Sequence, residues 1–118
     1  MIQWCDDVDI YLHRDAVDFR KAINGLSIIV QEQMALKPFD RALFVFCNKQ
    51  RSQLKVLYWD ETGFALWQKR LEKAKFKWPR KMSTSTITLT NEQWLWLLRG
   101  FDITKIKPHD VLTFQATG

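Results

Sequence analysis

The chain has 118 residues and a formal net charge of +5, with 47% hydrophobic and 26% charged residues. This length predicts a single domain that can bury a core without disulfides or structural metals, and the ordinary apolar fraction argues against an intrinsically disordered chain. No apolar run approaches the roughly 20 residues that a membrane-spanning helix needs.

The first third of the chain predicts a strand followed by a helix. Residues 9–13 read as a short strand, and Asp18 then stands where a helix N-cap is expected. From Phe19 onwards apolar residues recur at helical spacing, which predicts an amphipathic helix of about four turns over residues 19–36. Pro38 ends this helix, because the residue before a proline disfavours the helical conformation.

The middle third predicts a series of strands. Residues 42–47, 54–59 and 64–71 are three strand candidates, and residues 73–78 alternate lysine with Ala74, Phe76 and Trp78 at a period of two. A turn over residues 60–63 joins the second and third of these strands, with Gly63 expected in the left-handed conformation. Because the connections are short, we expect an antiparallel meander.

The last third predicts a second, shorter helix. Thr90 and Gln93 have the spacing of a capping box, Trp94 and Leu97 share the apolar face that follows, and Gly100 stands at the expected C′ position. The tail from residue 103 is expected to be loosely held, with residues 111–114 as a candidate edge strand.

Together these elements predict one α+β domain over residues 1–118, with its core at residues 8–102. The expected architecture is an antiparallel meander sheet of about four or five strands, one long helix packed on it and a short C-terminal helix.

Cysteine and histidine give no sign of a metal or catalytic site. Cys5 and Cys47 lack a CxxC spacing and the first residues lack a signal-peptide core, so we expect two free thiols in a cytoplasmic protein. His13 and His109 are too scattered to complete a zinc site with them. We also expect no nuclease triad among the carboxylates Asp9, Asp15, Asp18, Asp60 and Glu61. The prediction is a protein without enzymatic activity, metal or cofactor.

The charge of the chain is unevenly distributed. The first 18 residues hold five aspartates and one arginine, whereas residues 69–81 hold seven cations and one carboxylate. The seven cations are Lys69, Arg70, Lys73, Lys75, Lys77, Arg80 and Lys81. Such a block raises the local electrostatic potential and favours polyanionic partners.

The sequence of residues 43–79 resembles the TnpB accessory family, the small second-open-reading-frame protein of the insertion-sequence family numbered sixty-six. The most specific matching stretches are Tyr58-Trp59-Asp60, Lys69-Arg70-Leu71 and Phe76-Lys77-Trp78-Pro79. Residues 18–21 with Gly25 and Leu26 resemble the family's helix start, and residues 97–102 resemble its C-terminal stretch, so that the similarity covers residues 8–102. The resemblance implies a bacterial mobile-element protein that works alongside a separate, larger transposase and does not itself cut DNA.

Two segments depart from that family pattern. Residues 48–53 are less rich in arginine than the family pattern, which weakens any nucleic-acid contact placed there. The stretch after Pro108 has no counterpart in the pattern.

The lysines of the basic block are the strongest candidates for a binding site. In an extended chain Lys69, Lys73, Lys75 and Lys77 project to one side, and ammonium groups about 7 Å apart match a phosphate backbone. Their attraction for DNA would depend on salt and would be independent of base sequence. The alternative is a solvated outer face, or lysines that protect an exposed sheet edge.

Other cations and several aromatic residues extend this hypothesis. We expect Arg51, Lys55 and Arg80 to enlarge the basic surface, with Lys55 pointing outward from its strand. Trp59, Trp67 and Trp78 are candidate stacking platforms for unpaired bases, although core packing is the commoner role of such rings. Trp96, which lies off the face of Trp94, and Trp78 are candidate contacts for a protein partner.

The sequence therefore favours a non-enzymatic accessory protein of DNA transposition that contacts DNA backbone and assists a separate transposase subunit. The competing hypothesis is a protein–protein interaction module that binds the transposase and has no nucleic-acid affinity of its own.

Overall fold

The structure, a computed structural model, describes residues 8–105, which form five strands and two helices. In chain order they are β1 (Asp9–His13), α1 (Ile23–Glu32), β2 (Ala42–Cys47), β3 (Gln53–Asp60), β4 (Gly63–Arg70), β5 (Thr86–Leu89) and α2 (Asn91–Leu98). The predicted α+β class is confirmed, and β1 and β2 have the predicted bounds. The candidate strand at residues 111–114 lies outside the described residues.

The five strands form one mixed sheet, so the prediction of a purely antiparallel meander is wrong. The strand order is β4-β3-β2-β1-β5, in which β1 and β2 are parallel and the other three pairs are antiparallel. The parallel pair arises because α1 lies between β1 and β2 in the chain and returns the chain to the starting end of the sheet.

Both faces of the sheet are covered. On one face Leu26 and Val30 of α1 pack against Phe44 and Phe46 of β2. On the other face α2 and residues 76–78 pack against a cluster that includes Val45. Every residue of β2 is therefore buried, which explains its unbroken apolar sequence.

The helix α1 is shorter than predicted at both ends, so the prediction of one long helix is wrong. Asp18 is not its N-cap: the carboxylate instead accepts hydrogen bonds from the backbone and guanidinium of Arg20, which lower its pKa to about 2. The N-cap is Ala22, which has no side-chain hydrogen bond to offer. Beyond the helix Ala35 has the left-handed conformation, with φ 54°, so the chain turns away before Pro38.

The helix α2 begins and ends as its sequence predicts. The hydroxyl of Thr90 accepts a hydrogen bond from the backbone of Gln93, whose side chain accepts one from the backbone of Thr90. Gly100 has a φ of 90°, and the N–H of Phe101 donates to the carbonyl of Trp96 at 2.9 Å. This is a Schellman-type C-terminus, which glycine favours because it lacks a Cβ. Within the described part of the chain, neither helix is long and apolar enough to cross a membrane.

The turn between β3 and β4 differs from the prediction in one detail. Asp60 and Gly63 are the last paired residues of the hairpin, so the loop consists of Glu61 and Thr62. The left-handed residue is Glu61, with φ 52°, and not Gly63.

Candidate nucleic-acid interface

The basic block leaves the sheet after β4, and the predicted strand at residues 73–78 does not form. The N–H of Leu71 donates to the carbonyl of Ser52 at 2.8 Å, and that of Phe76 donates to the carbonyl of Arg51 at 2.8 Å. Further along, the N–H of Trp78 donates to Phe76 and the N–H of Arg80 donates to Trp78, each to a carbonyl two residues earlier. These tight turns bend the segment across one end of the sheet instead of extending it.

Although the strand does not form, the period-two alternation of this segment still appears in the burial of residues 75–78. Phe76 and Trp78 are buried in the core, whereas Lys75 and Lys77 are exposed. The indole Nε1 of Trp78 donates to the carbonyl of Arg14 at 2.9 Å, so both its apolar and its polar parts are used inside the protein. Trp78 is only 7% exposed, so most of its ring is packed inside the protein, and Ala74 is exposed rather than turned inward.

Four cations of the basic block converge with two more on one concave surface, which we call the basic groove. The groove has a volume of about 460 Å³. Its six cations are Arg51, Lys75, Lys77, Arg80, Lys81 and Lys105. Two walls build it: residues 75–81 form one, and residues 102–105, after α2, form the other. Lys105 was not predicted, because only the fold brings that part of the chain to the block.

A single carboxylate, Asp102, lies among the residues that line the groove. Both the backbone N–H and the hydroxyl of Thr104 donate to Asp102 Oδ1. The hydroxyl hydrogen bond is the largest of the effects that lower the pKa of Asp102, and the charges of Lys105 and Lys77 add to it. The carboxylate is thus committed to shaping its own loop, and the groove keeps a large excess of positive charge.

Arg51 connects the groove to the sheet. Its backbone is left-handed, with φ 60°, and its carbonyl accepts the hydrogen bond from Phe76 that anchors the basic segment. Among the described residues its buried Nε has no hydrogen-bond partner. The guanidinium of Arg51 adds its positive charge to the five other cations that line the groove, and this concentration of positive charge favours an anionic ligand.

The predicted row of lysines is divided by the fold. Lys69 is not free, because its Nζ donates to the carbonyl of Leu98 at 3.2 Å. Arg70 forms a salt bridge of 3.1 Å with Glu72. Lys73 is exposed but lines no part of the basic groove. Of the seven cations in the block, Lys75, Lys77, Arg80 and Lys81 therefore form the groove.

A second hollow lies beside the basic groove and shares two of its lysines. It has a volume of about 470 Å³, and Lys75 and Lys77 line both cavities. Its remaining lining combines Arg99 and Gly100 with the apolar residues Leu71, Ala74 and Leu98. The two cavities form one continuous surface that is rich in cations.

Lys55 points inward, so the prediction that it belongs to the outer basic surface is wrong. Its Nζ donates to the carbonyls of Phe19 at 2.8 Å and Lys21 at 2.9 Å, and lies 4.7 Å from the centre of the Phe19 ring. Burial lowers its pKa, against a smaller opposing effect of Asp18. The strand β3 lies inside the sheet, and the chain leading into α1 covers this position.

Three aromatic rings that the sequence did not single out as a group form a partly exposed cluster near the β3–β4 turn. The ring centroids of Phe39 lie 5.1 Å from Trp59 and 5.4 Å from Phe64, and those of Trp59 and Phe64 are 5.0 Å apart. Phe39 itself is 58% exposed. The predicted contacts Trp67 and Trp96 are instead partly buried against the core on the α2 side.

Two groups with catalytic potential, Cys47 and His13, do not line the basic groove. Cys47 is buried, and burial raises the pKa of its thiol to about 12. The ring nitrogens of His13 lie within hydrogen-bond distance of the carbonyl of Asp15 and the side-chain oxygen of Gln33. Across residues 8–105 no cluster of three His, Cys, Asp or Glu side chains could hold a metal ion.

Comparison with known proteins agrees with the family that the sequence resembles. The family model described as "IS66 Orf2 like protein" matches residues 8–108. Two proteins of Sinorhizobium fredii, the uncharacterized proteins y4jC and y4hO, are each 34% identical to the chain, over 91 and 96 residues. These matches cover 77% of both chains for y4jC, and 81% of this chain and 83% of the relative for y4hO. No solved structure matches the chain. The chain belongs to the IS66 Orf2-like family, a family of accessory proteins associated with transposition.

Proposed function

We propose that the chain is a non-enzymatic accessory protein of IS66-type transposition that holds nucleic-acid backbone in its basic groove. The observation that supports this proposal is the convergence of six cations around a cavity that contains one carboxylate. Lysine and arginine side chains neutralise phosphates and release condensed counterions, which supplies most of the affinity of sequence-independent binding. Exposed cations on two separate walls can approach a phosphate chain from both sides.

Two features of the groove favour this role over that of a merely solvated surface. Arg51 lines the groove and forms no salt bridge with another described residue, so its positive charge is not compensated by an ion pair within the described part of the chain. The one carboxylate of the groove, Asp102, offsets only one of its six positive charges, so the lysines keep a formal excess of five positive charges.

The test is a fluorescence-anisotropy titration of labelled duplex and single-stranded DNA at two salt concentrations. For about four phosphate contacts, affinity falls roughly 100-fold between about 50 and about 200 mM salt. A Lys75→Ala, Lys77→Ala variant should bind more weakly and with a smaller dependence on salt. Lys37→Ala, Lys49→Ala is the matched control, since it removes the same charge from exposed lysines that line neither cavity.

Two outcomes contradict this proposal. The first is that the parent protein binds neither form of DNA at low salt. The second is that both double variants, with folding verified by circular dichroism, weaken binding equally, since that would assign the affinity to net charge rather than to the groove.

The aromatic cluster supports a second candidate function, which is direct contact with the separate transposase. Phe39 is exposed and packs edge-on against Trp59, as aromatic anchors of protein interfaces do. A Phe39→Ala variant should lose at least about tenfold in affinity for the purified transposase, measured by calorimetry without DNA. Phe101→Ala is the control, because Phe101 is 50% exposed and belongs to neither the cluster nor the core. Equal affinities for the parent and Phe39→Ala contradict this role of the cluster.

A further inference from the structure

Phe101 lies between the two basic cavities. Its neighbour Gly100 lines the second hollow and its other neighbour Asp102 lines the basic groove. Since consecutive Cα atoms are about 3.8 Å apart, the backbone of Phe101 lies at the boundary between the two cavities. Lys75 and Lys77 line both cavities, so they also lie where the two cavities meet.

The side chain of Phe101 is exposed although its backbone is fixed. The ring is 50% exposed and belongs to neither core cluster. Its N–H donates to the carbonyl of Trp96 at 2.9 Å, and the left-handed Gly100 before it sets the direction of the chain. The helix cap fixes the backbone that carries this exposed ring, so a ligand that covers the ring need not order that backbone on binding.

Two other aromatic rings lie closer to the lysines in sequence, but both are buried, so a ligand cannot cover them as it could cover Phe101. Phe76 is 1% exposed, and Trp78 is 7% exposed with its indole N–H bound to Arg14. The hollow beside Phe101 also presents the apolar side chains of Leu71, Ala74 and Leu98. The two cavities therefore present ammonium groups and an apolar patch, and the backbone of the exposed Phe101 lies beside both of them.

We infer that this surface binds single-stranded nucleic acid, with phosphates on Lys75 and Lys77 and an unpaired base stacked on Phe101. The inference rests on the proposed function and names the form of nucleic acid that the groove prefers. In a duplex the faces of the bases are already stacked on one another, so Phe101 gains a partner only from an unpaired base. A basic groove beside an exposed aromatic ring is the arrangement by which proteins bind single strands without reading their sequence.

The experiment compares a labelled thymidine oligonucleotide of about 12 nucleotides with a duplex of the same length by fluorescence anisotropy. Four forms of the full-length chain are titrated: the parent, Phe101→Leu, Phe101→Trp and Ile28→Ala. Leucine keeps an apolar side chain but removes the aromatic face, and tryptophan restores that face. Ile28→Ala removes an exposed apolar side chain on α1, away from both cavities.

The parent should prefer the single strand to the duplex. Phe101→Leu should weaken single-strand binding by about 5- to 100-fold, the range measured when one stacking ring is removed, and should leave duplex binding within about twofold. Phe101→Trp should retain or increase the single-strand affinity, and Ile28→Ala should leave it unchanged.

Two results overturn the inference while leaving the proposed function intact. One is a parent protein that binds duplex as tightly as single strand. The other is a Phe101→Leu variant with parental single-strand affinity, provided that Lys75→Ala, Lys77→Ala still weakens binding. If the parent binds neither nucleic acid at low salt, the proposed function and this inference both fail.

Discussion

The Nζ of Lys69, in β4, donates a hydrogen bond of 3.2 Å to the carbonyl of Leu98, the last residue of α2. The final carbonyls of a helix have no hydrogen-bond partner within it and carry the negative end of its dipole. A cation at this end therefore donates a hydrogen bond to a free carbonyl and interacts favourably with the dipole. This contact joins the edge of the sheet to the helix that leads into Gly100 and Phe101. Lys69 therefore acts in the structure as a helix cap and not as a member of the basic groove.

Replacing Lys69 with methionine should lower the free energy of unfolding by about 1 kcal/mol, because a charge-assisted hydrogen bond at a helix C-terminus is lost. The affinity for DNA should change by less than about threefold, since Lys69 does not line either cavity. Urea denaturation and anisotropy measure the two quantities. Arg70→Met is the control: it removes the same charge from an exposed salt bridge and should cost less stability. Equal destabilisation by the two substitutions would contradict the capping role.

Lys55 is buried more deeply than Lys69, so its substitution should lower the free energy of unfolding by more. Lys55→Met keeps the length and apolar stem of the side chain but leaves the carbonyls of Phe19 and Lys21 without their donor. We expect the free energy of unfolding to fall by about 2–4 kcal/mol, because buried acceptors lose their hydrogen bonds to a charged group. Lys37→Met, at an exposed position, should change it by less than about 0.5 kcal/mol. Parental stability of Lys55→Met would show that these contacts contribute little.

The error over Lys55 shows which part of the fold could not be read from the sequence. Period-two alternation correctly assigned Leu54 and Val56 to one face of β3, and it assigned Lys55 to the other. It could not show that the second face is also buried, because that depends on α1 and the chain before it lying across the sheet. Most strands were predicted well because alternation and turn residues are local signals, whereas strand order depends on long-range packing.

The candidate site was predictable in its chemistry and not in its shape. The density of lysines in residues 69–81 identified the right segment. The extended conformation assumed for it failed because residues 76–80 form tight turns, anchored to Arg51, around the buried Phe76 and Trp78. Lys105 and Phe101 were missed because both follow α2 in the chain, and only tertiary structure brings this segment to the basic block. The one local signal for Phe101 was the position of an apolar residue directly after Gly100, which ends α2.

Gly100 should tolerate substitution poorly because of its backbone and not because of crowding. An added Cβ would meet nothing within 4 Å, but the φ of 90° is a conformation that residues with a side chain rarely adopt. Gly100→Ala should lower the free energy of unfolding by about 1–2 kcal/mol. Gly63→Ala is a matched control, because its Cβ also meets nothing within 4 Å and its φ is not in the left-handed region. Thermal denaturation should show a larger loss of stability for Gly100→Ala than for Gly63→Ala. An equal loss of stability in the two variants would contradict this explanation.

Cys47 should make the stability of the protein fall at alkaline pH. Burial raises the pKa of its thiol from 9.0 to about 12, so the folded protein keeps a proton that the unfolded chain has already lost. Between these two pKa values the folded state binds more protons than the unfolded state, and the free energy of unfolding therefore decreases as pH rises. The stabilisation is complete below about pH 9 and is lost towards about pH 12.

A comparison of the parent with Cys47→Ala isolates this effect, because all other titrating groups are common to both proteins. Urea denaturation between about pH 9 and about pH 11 should show the parent losing about 2 kcal/mol more than the variant. The alanine protein is expected to be less stable at neutral pH, since it leaves a small cavity in β2, so the difference between the two should shrink as pH rises. A difference that stays constant over this range would mean that the thiol ionises in the folded protein as readily as in the unfolded chain.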